Sequence, residues 1–294
     1  MDPHGNSPSE TLTGAARGLG QALALRLAAE GARLILVDCD SAGLCVTAGL
    51  VSESAAEVAT FECDLTDPPQ ISQTVARIRE RFQGIDVLIN NAGVAWYGTV
   101  ANMGAEDWER VLAVNLLAPI QLIREFLPDL QAQPEAQPEA HVLNVSSVYG
   151  LMATNRATVY HCTKFALVGL SEALRAECDR NGLGVTAFCP GFMQTDLFGP
   201  AEHGKPDRRP PAWLCSSTDR VADKAVKAIL RDRRMVVVSP LARMLYATRR
   251  VIPGLFDSLY RIGRRRKLRE RKEQVTDQSS SEVQRPPSDE RRAA

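Results

Sequence analysis

Tyr160 and Lys164 are two residues that could exchange a proton with a bound molecule. The spacing Tyr-x-x-x-Lys lies within a helical pattern, so the two side chains should sit one turn apart on one helix face. A phenol is a poor acid or base at neutral pH, but a neighbouring ammonium favours the phenolate and lowers the pKa of the phenol. We therefore expect an acid–base pair. The alternative is an amphipathic helix with a surface lysine, because this spacing alone is common.

A glycine-rich segment near the N-terminus forms the second candidate site. Thr13-Gly14-Ala15-Ala16-Arg17-Gly18-Leu19-Gly20 opens a predicted helix, and glycines there let the backbone approach a pyrophosphate at the helix N-terminus. Asp38 directly follows the apolar run Leu34–Val37, where a carboxylate can accept hydrogen bonds from an adenosine ribose and repel a 2′-phosphate. The simpler interpretations are a glycine-rich turn of any α/β protein and a surface acid that ends a strand.

Short apolar runs alternate with helical patterns along most of the chain. This alternation predicts right-handed βαβ units and a parallel sheet covered by helices on both faces, which is a single doubly wound α/β domain. The predicted strands are nearly all apolar, as expected when both faces of a sheet are buried. They are Arg33–Val37, Val58–Glu62, Val87–Asn90, His141–Val145, Val185–Cys189 and Met235–Val238. The predicted helices include Gly18–Glu30, Ile71–Phe82, Trp108–Leu130, Val159–Arg180 and Asp219–Arg231.

Beyond these patterns, Thr13–Gly20 resembles the T-G-x-x-x-G-x-G signature of the short-chain dehydrogenase/reductase family. Further segments match that family in the expected order. They are Cys63-Asp64-Leu65, Asn90-Asn91-Ala92-Gly93, Asn115, and Pro190-Gly191 followed by Thr195. The resemblance covers about residues 11–240. It implies a Rossmann-like, single-domain oxidoreductase that transfers a hydride between NAD(P) and an alcohol or ketone.

The resemblance also assigns catalytic roles. Tyr160 would exchange the proton, and Lys164 would lower the pKa of Tyr160 and bind the nicotinamide ribose. Ser147, thirteen residues before Tyr160 at the end of a predicted strand, would orient the substrate oxygen. Asn115 would hold a water that links Lys164 to solvent. The alternation of a strand should point Ser146 the other way.

The same resemblance implies a set of cofactor contacts. They are Thr13, Gly14, Arg17, Gly18, Leu19, Gly20, Asp38, Asp64, Leu65, Asn91, Ala92, Gly93, Tyr160, Lys164, Pro190, Gly191 and Thr195. Because a carboxylate at Asp38 would repel a 2′-phosphate, NAD is the expected cofactor. Arg17 could approach such a phosphate, which leaves an NADPH-dependent carbonyl reductase as the alternative.

Large apolar and aromatic side chains follow several of these motifs and should wall the substrate site. They are Trp96, Tyr97, Val148, Tyr149, Leu151, Phe192 and Trp213. Such a lining favours a lipophilic or uncharged substrate. The alternative is that several of them simply pack under loops. His161, next to Tyr160, should point about 100° away around the helix and serve in packing or lie at the surface, with a catalytic role as the alternative.

One part of the sequence departs from the family. The first strand should precede Thr13, but the residues from Asn6 to Leu12 include a single good core residue, Leu12. We expect either a shortened strand, Thr11–Thr13, after a polar segment 1–10, or an N-terminus that lies upstream or was altered. A weak first strand could impair cofactor binding. A non-catalytic binding protein of the same family is therefore the alternative from a different functional class.

Composition and charge narrow the functional classes. Lys and Arg number 35 and Asp and Glu number 35, so no overall charge suggests a nucleic-acid partner. The seven cysteines are scattered without metal-ligand spacing, as expected of reduced thiols in the cytoplasm. No signal-peptide pattern is visible, and no apolar run approaches the roughly 18 residues of a membrane span. We expect a cytoplasmic protein without a metal.

Three segments lie outside the alternating pattern. Residues 192–217 are rich in proline, glycine and charge, which is typical of a mobile substrate lid. Residues 241–273 combine an apolar helical stripe with a basic block, so they could lie on a membrane surface or fold back over the substrate site or a subunit interface. Residues 274–294 should be disordered. The family resemblance further implies a homo-oligomer, a dimer or a tetramer.

Overall fold

The computed structural model describes residues 7–132, 140–178, 182–193, 215–252 and 254. Its strands are β1 Ser9–Thr13, β2 Arg33–Asp38, β3 Glu57–Glu62, β4 Val87–Asn90, β5 His141–Val145, β6 Gly184–Cys189, β7 Phe192–Met193, β8 Cys215–Ser216 and β9 Met235–Val237. Its helices are α1 Gly18–Ala28, α2 Ser41–Val51, α3 Pro68–Phe82, α4 Ala105–Leu112, α5 Ala118–Gln131, α6 Thr158–Cys178, α7 Thr218–Leu230 and α8 Pro240–Val251. A π-helical turn, Ala113–Leu117, joins α4 to α5.

Seven of these strands form one parallel sheet in the order β3-β2-β1-β4-β5-β6-β9. The predicted doubly wound α/β fold is confirmed. The strand order reverses direction between β1 and β4, and ligands of such sheets bind at the carboxyl ends of the strands at this point. Those ends carry Thr13 and Asn90, the residues that lead into the two glycine-containing segments.

The first strand is longer than the expected Thr11–Thr13. β1 starts at Ser9, and all five of its residues are buried. It pairs along its length with β2 and, from Glu10 to Leu12, with β4. The polar segment therefore ends earlier than predicted. Hydrogen-bond ladders on both sides hold this strand in the centre of the sheet although it contributes only one large apolar side chain, Leu12.

Two apolar cores fill the space between the sheet and its helices. One face of the sheet packs against α1, α2 and α7, with Leu12, Leu23 and Val221 among its fully buried residues. The other face packs against α3, α5 and the end of α6, with Phe126 among its fully buried residues. Both faces of the sheet are thus covered, as the nearly all-apolar strands predicted.

The predicted helix Trp108–Leu130 is not a continuous α-helix. It comprises α4, the π-helical turn and α5, which together span Ala105–Gln131. By length and mean hydropathy this stretch could cross a membrane, although the sequence led us to expect no such segment. The residues of α5 that face the sheet lie in the second core, and this burial accounts for their apolar character.

The two ends of the predicted lid lie side by side, because β7 pairs with β8. Residues 194–214, with Thr195 and Trp213, lie outside the described residues, as does most of the basic extension and all of 274–294. The chain divides into two units, residues 1–243 and 244–294.

Candidate active site

The glycine-rich segment turns from β1 into α1 in a form that requires glycine. Gly14 has φ +66°, and a Cβ there would approach Ala92 Cα to 2.8 Å. A Cβ on Gly20 would lie 1.8 Å from the Gly14 carbonyl oxygen. The side chain of Arg17 does not cap α1, so amides of the first turn are left to hydrogen-bond an outside group. An open helix N-terminus beside a glycine turn fits a pyrophosphate.

Thr13 and Asn91 hold this loop against the N-N-A-G segment. The Thr13 hydroxyl accepts hydrogen bonds from the backbone amides of Asn91 and Ala92, both at 3.1 Å. The Asn91 amide group donates to the carbonyl oxygens of Thr13 at 3.0 Å and Gly14 at 3.1 Å. Thr13 and Asn91 were expected to contact the cofactor. Their side chains instead hydrogen-bond backbone groups of these two loops and so fix the shape of the glycine turn.

Asp38 ends β2 beside the glycine turn. Its carboxylate accepts hydrogen bonds from the backbone amides of Ala16 at 3.0 Å and Asp40 at 3.1 Å, one on each oxygen. Each oxygen keeps a lone pair for another donor, as a ribose hydroxyl would supply. The structure thus brings the predicted ribose-binding carboxylate to the predicted pyrophosphate loop. Arg17, which could favour a phosphate there, is exposed.

Asp64 and Leu65 follow β3, the outer strand next to β2. One Asp64 oxygen accepts hydrogen bonds from the amide and the hydroxyl of Thr66, both at 2.9 Å. Leu65 is 8% exposed and packs in the second core. Asp64 itself is exposed, so its side chain is available at the sheet edge that carries Asp38.

Asn115 lies in the π-helical turn and is fully buried. Its side-chain oxygen accepts from the Val94 amide and its amide group donates to the Val94 carbonyl, both at 2.8 Å. A third bond of 3.3 Å reaches the Thr163 hydroxyl on α6. One extra residue in a helical turn re-aims a side chain. Here the turn joins the segment after Gly93 to the helix that carries Tyr160 and Lys164.

Lys164 reaches the centre of the site from α6 and is 3% exposed. Its Nζ donates to the Val145 carbonyl oxygen at 2.9 Å and lies 5.5 Å from the centroid of the Tyr160 ring. A Cβ on Gly93 would come within 3.5 Å of the same Nζ and 3.4 Å of Asn115 Oδ1. Burial lowers the pKa of Lys164 to about 8, because it disfavours the ammonium.

Tyr160 is 6% exposed, and burial raises the pKa of its phenol well above the ordinary value, a change that a hydrogen bond with Ser147 partly opposes. We expected Lys164 to lower this pKa. Lys164 is not among the causes of this shift, and its Nζ lies 5.5 Å from the centroid of the Tyr160 ring. The lowering of the pKa by this ammonium together with a bound nicotinamide ring stays a prediction. Because burial raises this pKa, Tyr160 carries its proton at neutral pH.

The two serines after β5 face opposite ways, as the strand alternation predicted. Ser146 is buried, and its hydroxyl donates to the Lys164 carbonyl oxygen at 2.7 Å. Ser147 is half-buried, and its Oγ accepts from the Tyr149 amide at 3.1 Å. Because that bond uses a lone pair and not the proton, the Ser147 hydroxyl can still donate to Tyr160 or to a substrate oxygen.

Pro190 and Gly191 follow β6 at the same end of the sheet. The Pro190 carbonyl accepts from the Val148 amide at 2.9 Å, which ties this segment to the loop after Ser147. Gly191 is close to Ser239, since a Cβ would lie 3.1 Å from the Ser239 Cβ. Both residues thus occupy the position that the sequence indicated, beside the reacting centre.

The expected substrate wall is partly assembled around Tyr149. Its ring lies edge-on to Tyr160, with centroids 6.1 Å apart, and edge-on to Phe192 at 5.8 Å. Tyr97 is 41% exposed, and burial, and next the phenols of Tyr160 and Tyr149, raise the pKa of its phenol.

The remaining expected wall residues divide by burial. Val148 and Leu151 are 6% and 3% exposed, and they pack under the loop, as the alternative interpretation held. Trp96 is half-buried, and its ring would meet a Cβ on Gly98.

Sequence reasoning missed several groups that complete the site. Thr163 bonds Asn115, and the Val145 carbonyl accepts from Lys164. The Val94 amide donates to the Asn115 side chain, and the Val94 carbonyl accepts from it. The Val145 and Val94 groups are backbone atoms that any residue could supply, so no residue type marks them. Thr163 could have been predicted from the sequence. It directly precedes Lys164, and its hydroxyl donates to the Tyr160 carbonyl oxygen in the preceding turn of α6.

Comparison with known proteins agrees with this geometry. The family model described as short chain dehydrogenase matches residues 11–206. A CLA biosynthesis dehydrogenase/reductase from Lactiplantibacillus plantarum is 35% identical over 194 residues, which are 65% of this chain and 67% of that protein. Probable oxidoreductase EphD from Mycobacterium tuberculosis is 30% identical over 265 residues, which are 86% of this chain and 44% of that longer protein.

Two solved structures extend the likeness to three dimensions. A short-chain dehydrogenase/reductase from Burkholderia phymatum in complex with NAD superposes with a TM-score of 0.75 at 27% identity, over 85% of this chain and 95% of that one. A short-chain dehydrogenase from Sphingobium yanoikuyae in complex with NADPH gives 0.71 at 25% identity, over 98% and 100%. On these matches, together with the site described above, the chain belongs to the short-chain dehydrogenase/reductase family of oxidoreductases.

Proposed function

We propose that this oxidoreductase interconverts an alcohol and a ketone with NAD(H), using Ser147, Tyr160 and Lys164. The observation that carries the proposal is the meeting of these three side chains at the carboxyl ends of β4 and β5, next to the glycine turn. Tyr160 contacts Ser147 by a hydrogen bond and Lys164 across its ring. The nicotinamide, when bound, supplies or accepts the hydride.

The residues of the chain handle the proton. Since burial keeps the proton on Tyr160 at neutral pH, the phenol can donate it to a carbonyl oxygen during reduction, and the phenolate takes it back during oxidation. Ser147 donates its own proton to the same oxygen and stabilises the charge that develops there. Lys164 supplies a positive charge below its pKa of about 8, and Asn115 fixes the segment that encloses it.

Asp38 supports NAD(H) over NADP(H). Its carboxylate, held by two amides, would hydrogen-bond a ribose and repel a 2′-phosphate. The two solved relatives hold NAD in one case and NADPH in the other, so their likeness favours neither. The exposed Arg17 supports the alternative, an NADPH-dependent carbonyl reductase.

The aromatic residues Tyr149, Tyr97 and Phe192 near Tyr160 support a small, lipophilic and uncharged substrate. The non-catalytic alternative loses the feature on which it rested, because β1 is complete and pairs on both sides.

We further propose a cytoplasmic homo-oligomer that contacts the membrane surface through residues 241–272. Free thiols at Cys39, Cys45, Cys63, Cys162, Cys178 and Cys189 support a reducing compartment. Exposed apolar side chains at Leu117, Ile120 and Phe165 on neighbouring helices support self-association. The apolar and basic residues of α8 support contact with anionic lipid.

The test is a turnover assay with acetophenone and straight-chain methyl ketones of about four to ten carbons, each with NADH and with NADPH. We expect turnover of at least one ketone, faster with NADH.

Tyr160→Phe should lower turnover by about 10²-fold or more, since it removes the proton donor, while NADH binding measured by fluorescence stays near normal. Tyr246→Phe, which removes a phenol bonded to Arg250, is the matched control. A Tyr160→Phe variant with more than a tenth of normal turnover would contradict the assignment, and equal efficiency with both cofactors would contradict the role of Asp38.

A further inference from the structure

His161 follows Tyr160 on α6, but its side chain points to a different set of partners. It is 5% exposed, and both ring nitrogens have hydrogen-bond partners in the loop after Ser147. Nδ1 lies 2.9 Å from the Tyr149 carbonyl oxygen. Nε2 lies 3.0 Å from the Thr154 backbone nitrogen and 3.1 Å from the Thr154 hydroxyl oxygen. The imidazole therefore bridges the two ends of this loop.

The partners determine which nitrogen carries the proton. A backbone amide can only donate, so Nε2 must accept from Thr154. A carbonyl oxygen can only accept, so Nδ1 must donate to Tyr149. The ring is thus held as the Nδ1–H tautomer by two backbone groups of fixed direction. An apolar packing residue would need neither bond.

These bonds lead directly to Ser147. The same Tyr149 whose carbonyl accepts from His161 donates its amide proton to Ser147 Oγ at 3.1 Å. The Tyr149 ring lies 4.6 Å from the imidazole and edge-on to Tyr160. His161 consequently orients both the backbone that aims the serine hydroxyl and the aromatic ring beside the phenol.

We propose that His161 is a positioning residue: by clamping Tyr149 and Thr154 it aims the Ser147 hydroxyl at the substrate oxygen and sets the Tyr149 wall. This rests on the proposed function, in which Ser147 donates to that oxygen. His161 touches neither substrate nor cofactor in this scheme, so its loss should slow turnover without weakening cofactor binding.

Three variants separate the two bonds. His161→Phe keeps the ring volume and loses both bonds. In His161→Asn the side-chain NH₂ replaces the Nδ1 donor to Tyr149, whereas in His161→Gln the side-chain oxygen reaches the Nε2 position and accepts from Thr154. With the best ketone of the panel, we expect His161→Phe to lower kcat about 10- to 100-fold, the scale on which misplacing a reacting group acts. His161→Asn should recover more of kcat than His161→Gln, because the bond to Tyr149 is the one that leads to Ser147. Cys162→Ala, at the next and exposed position of α6, is the control.

A double-mutant cycle distinguishes positioning from general loss of structure. If His161 acts mainly through Ser147, His161→Phe added to Ser147→Ala should lower kcat much less than it does in the unaltered protein, because the hydroxyl that it aims is absent. Independent, multiplying losses would overturn the proposal, as would a fall in NADH affinity equal to the fall in kcat. Ser147→Ala with normal turnover would instead refute the proposed function itself.

A measurement on the free protein needs no turnover. Nitrogen-15 NMR of the imidazoles should show the resonance that disappears in His161→Asn as an Nδ1–H tautomer, and the Thr154 amide should be slow to exchange with solvent. Loss of that protection in His161→Phe but not in Cys162→Ala would support the clamp. An Nε2–H tautomer, or a freely exchanging Thr154 amide in the unaltered protein, would refute it even if His161→Phe fails to fold.

Discussion

Tyr160, Lys164 and Glu10 are ionisable side chains that are buried in the fold. Burial shifts the pKa of each one so that its neutral form is favoured. Burial raises the pKa of Tyr160 and lowers the pKa of Lys164 to about 8. A positively charged nicotinamide ring would favour the phenolate again. In this scheme the full acid–base balance of the site depends on the bound cofactor. Glu10 lies in β1 and is not one of the site residues.

Glu10 is a carboxyl in the central strand, and 7% of it is exposed. Burial first, and next the charges of Asp86 and Glu30, raise its pKa to about 8. One of its oxygens lacks a hydrogen-bond partner among the described residues. A buried carboxyl without a cation is tolerated only in its protonated form.

The resulting prediction concerns stability against pH. The folded protein holds this proton up to about pH 8, whereas the unfolded chain releases it near 4.5. The contribution of this bound proton to the free energy of unfolding is therefore complete below pH 4.5 and is lost as the pH rises through 8. Glu10→Val should remove this loss and raise the free energy of unfolding at pH 8 by about 2 kcal/mol or more.

Urea unfolding at a series of pH values between 5 and 9 measures the effect. Glu62→Val, at an exposed position of β3, is the control and should leave the pH dependence as it is. If Glu10→Val follows the same pH dependence as the unaltered protein, the carboxyl is ionised or hydrated in the folded state.

At the scale of elements, the π-helical turn between α4 and α5 is what brings Asn115 to the site. The side chain satisfies both backbone polar groups of Val94 and also reaches Thr163. It thereby couples the loop after β4 to α6. A regular α-helix over the same residues would shift the register of the side chains that follow.

Asn115→Ala should therefore destabilise the protein. It leaves the amide and carbonyl of Val94 without partners, and each unpaired buried group costs about 1–3 kcal/mol. We expect a fall in the free energy of unfolding within the sum of these ranges, measured by urea denaturation, and faster hydrogen exchange at Val94. Asn102→Ala, at an exposed position, should change neither quantity. An unchanged Val94 exchange rate in Asn115→Ala would show that water replaces the side chain.

At the scale of the whole molecule, the strand order of the sheet reverses between β1 and β4, and the site lies at the carboxyl ends of these strands. Exposed apolar side chains lie elsewhere on the surface. Leu117, Ile120 and Phe165 are 57%, 40% and 36% exposed, and the elements that carry them meet through the bond between Asn115 and Thr163. A surface of this kind suits a second copy of the chain.

Ile120→Glu combined with Phe165→Glu should therefore convert the oligomer to a monomer, because like charges and lost apolar contact both oppose the interface. Light scattering coupled to size-exclusion chromatography gives the mass directly. Val46→Glu with Leu50→Glu, two exposed apolar positions on α2, is the matched control. An unaltered protein that already elutes as a monomer would end the proposal of a homo-oligomer.

The C-terminal extension supports a prediction of membrane binding. α8 carries Arg243, Arg249 and Arg250 beside apolar residues, and a basic block, Arg264–Lys267, follows in the sequence. The protein should sediment with vesicles of phosphatidylserine and phosphatidylcholine, and less so as salt increases. Each basic residue near such a surface contributes roughly 1 kcal/mol. Neutralising all four residues of the block should then weaken binding by about a thousandfold.

Truncation at Pro240 tells the two interpretations of the extension apart. A membrane anchor predicts that truncation abolishes the remaining salt-independent binding. A segment that covers the substrate site or a subunit interface predicts a less stable or smaller particle on truncation, with no vesicle binding by the full chain. Vesicles of phosphatidylcholine alone are the control for charge.

Local patterns were enough to predict most of the sheet and the chemistry at its edge. Strands such as Val87–Asn90 and His141–Val145 were predicted to the residue, because a strand buried on both faces is mostly apolar. The glycine turn, Asp38 and the Tyr160–Lys164 pair were equally visible. Each depends on the spacing of a few neighbouring residues, and local backbone conformation is enough to place those residues relative to one another.

What depended on distant partners could be decided only by the tertiary structure. Ser9, Glu10 and Thr11 do not look like a central strand, yet ladders to β2 and β4 make them one. The helix through Asn115 is interrupted where its amide must meet Val94. Burial, which no spacing reveals, raises the pKa of Tyr160. His161 gained its partners from a loop that folds back onto α6. In each of these cases the conformation or the pKa depends on residues that are distant along the chain but adjacent in the fold. Local sequence patterns describe only neighbours along the chain.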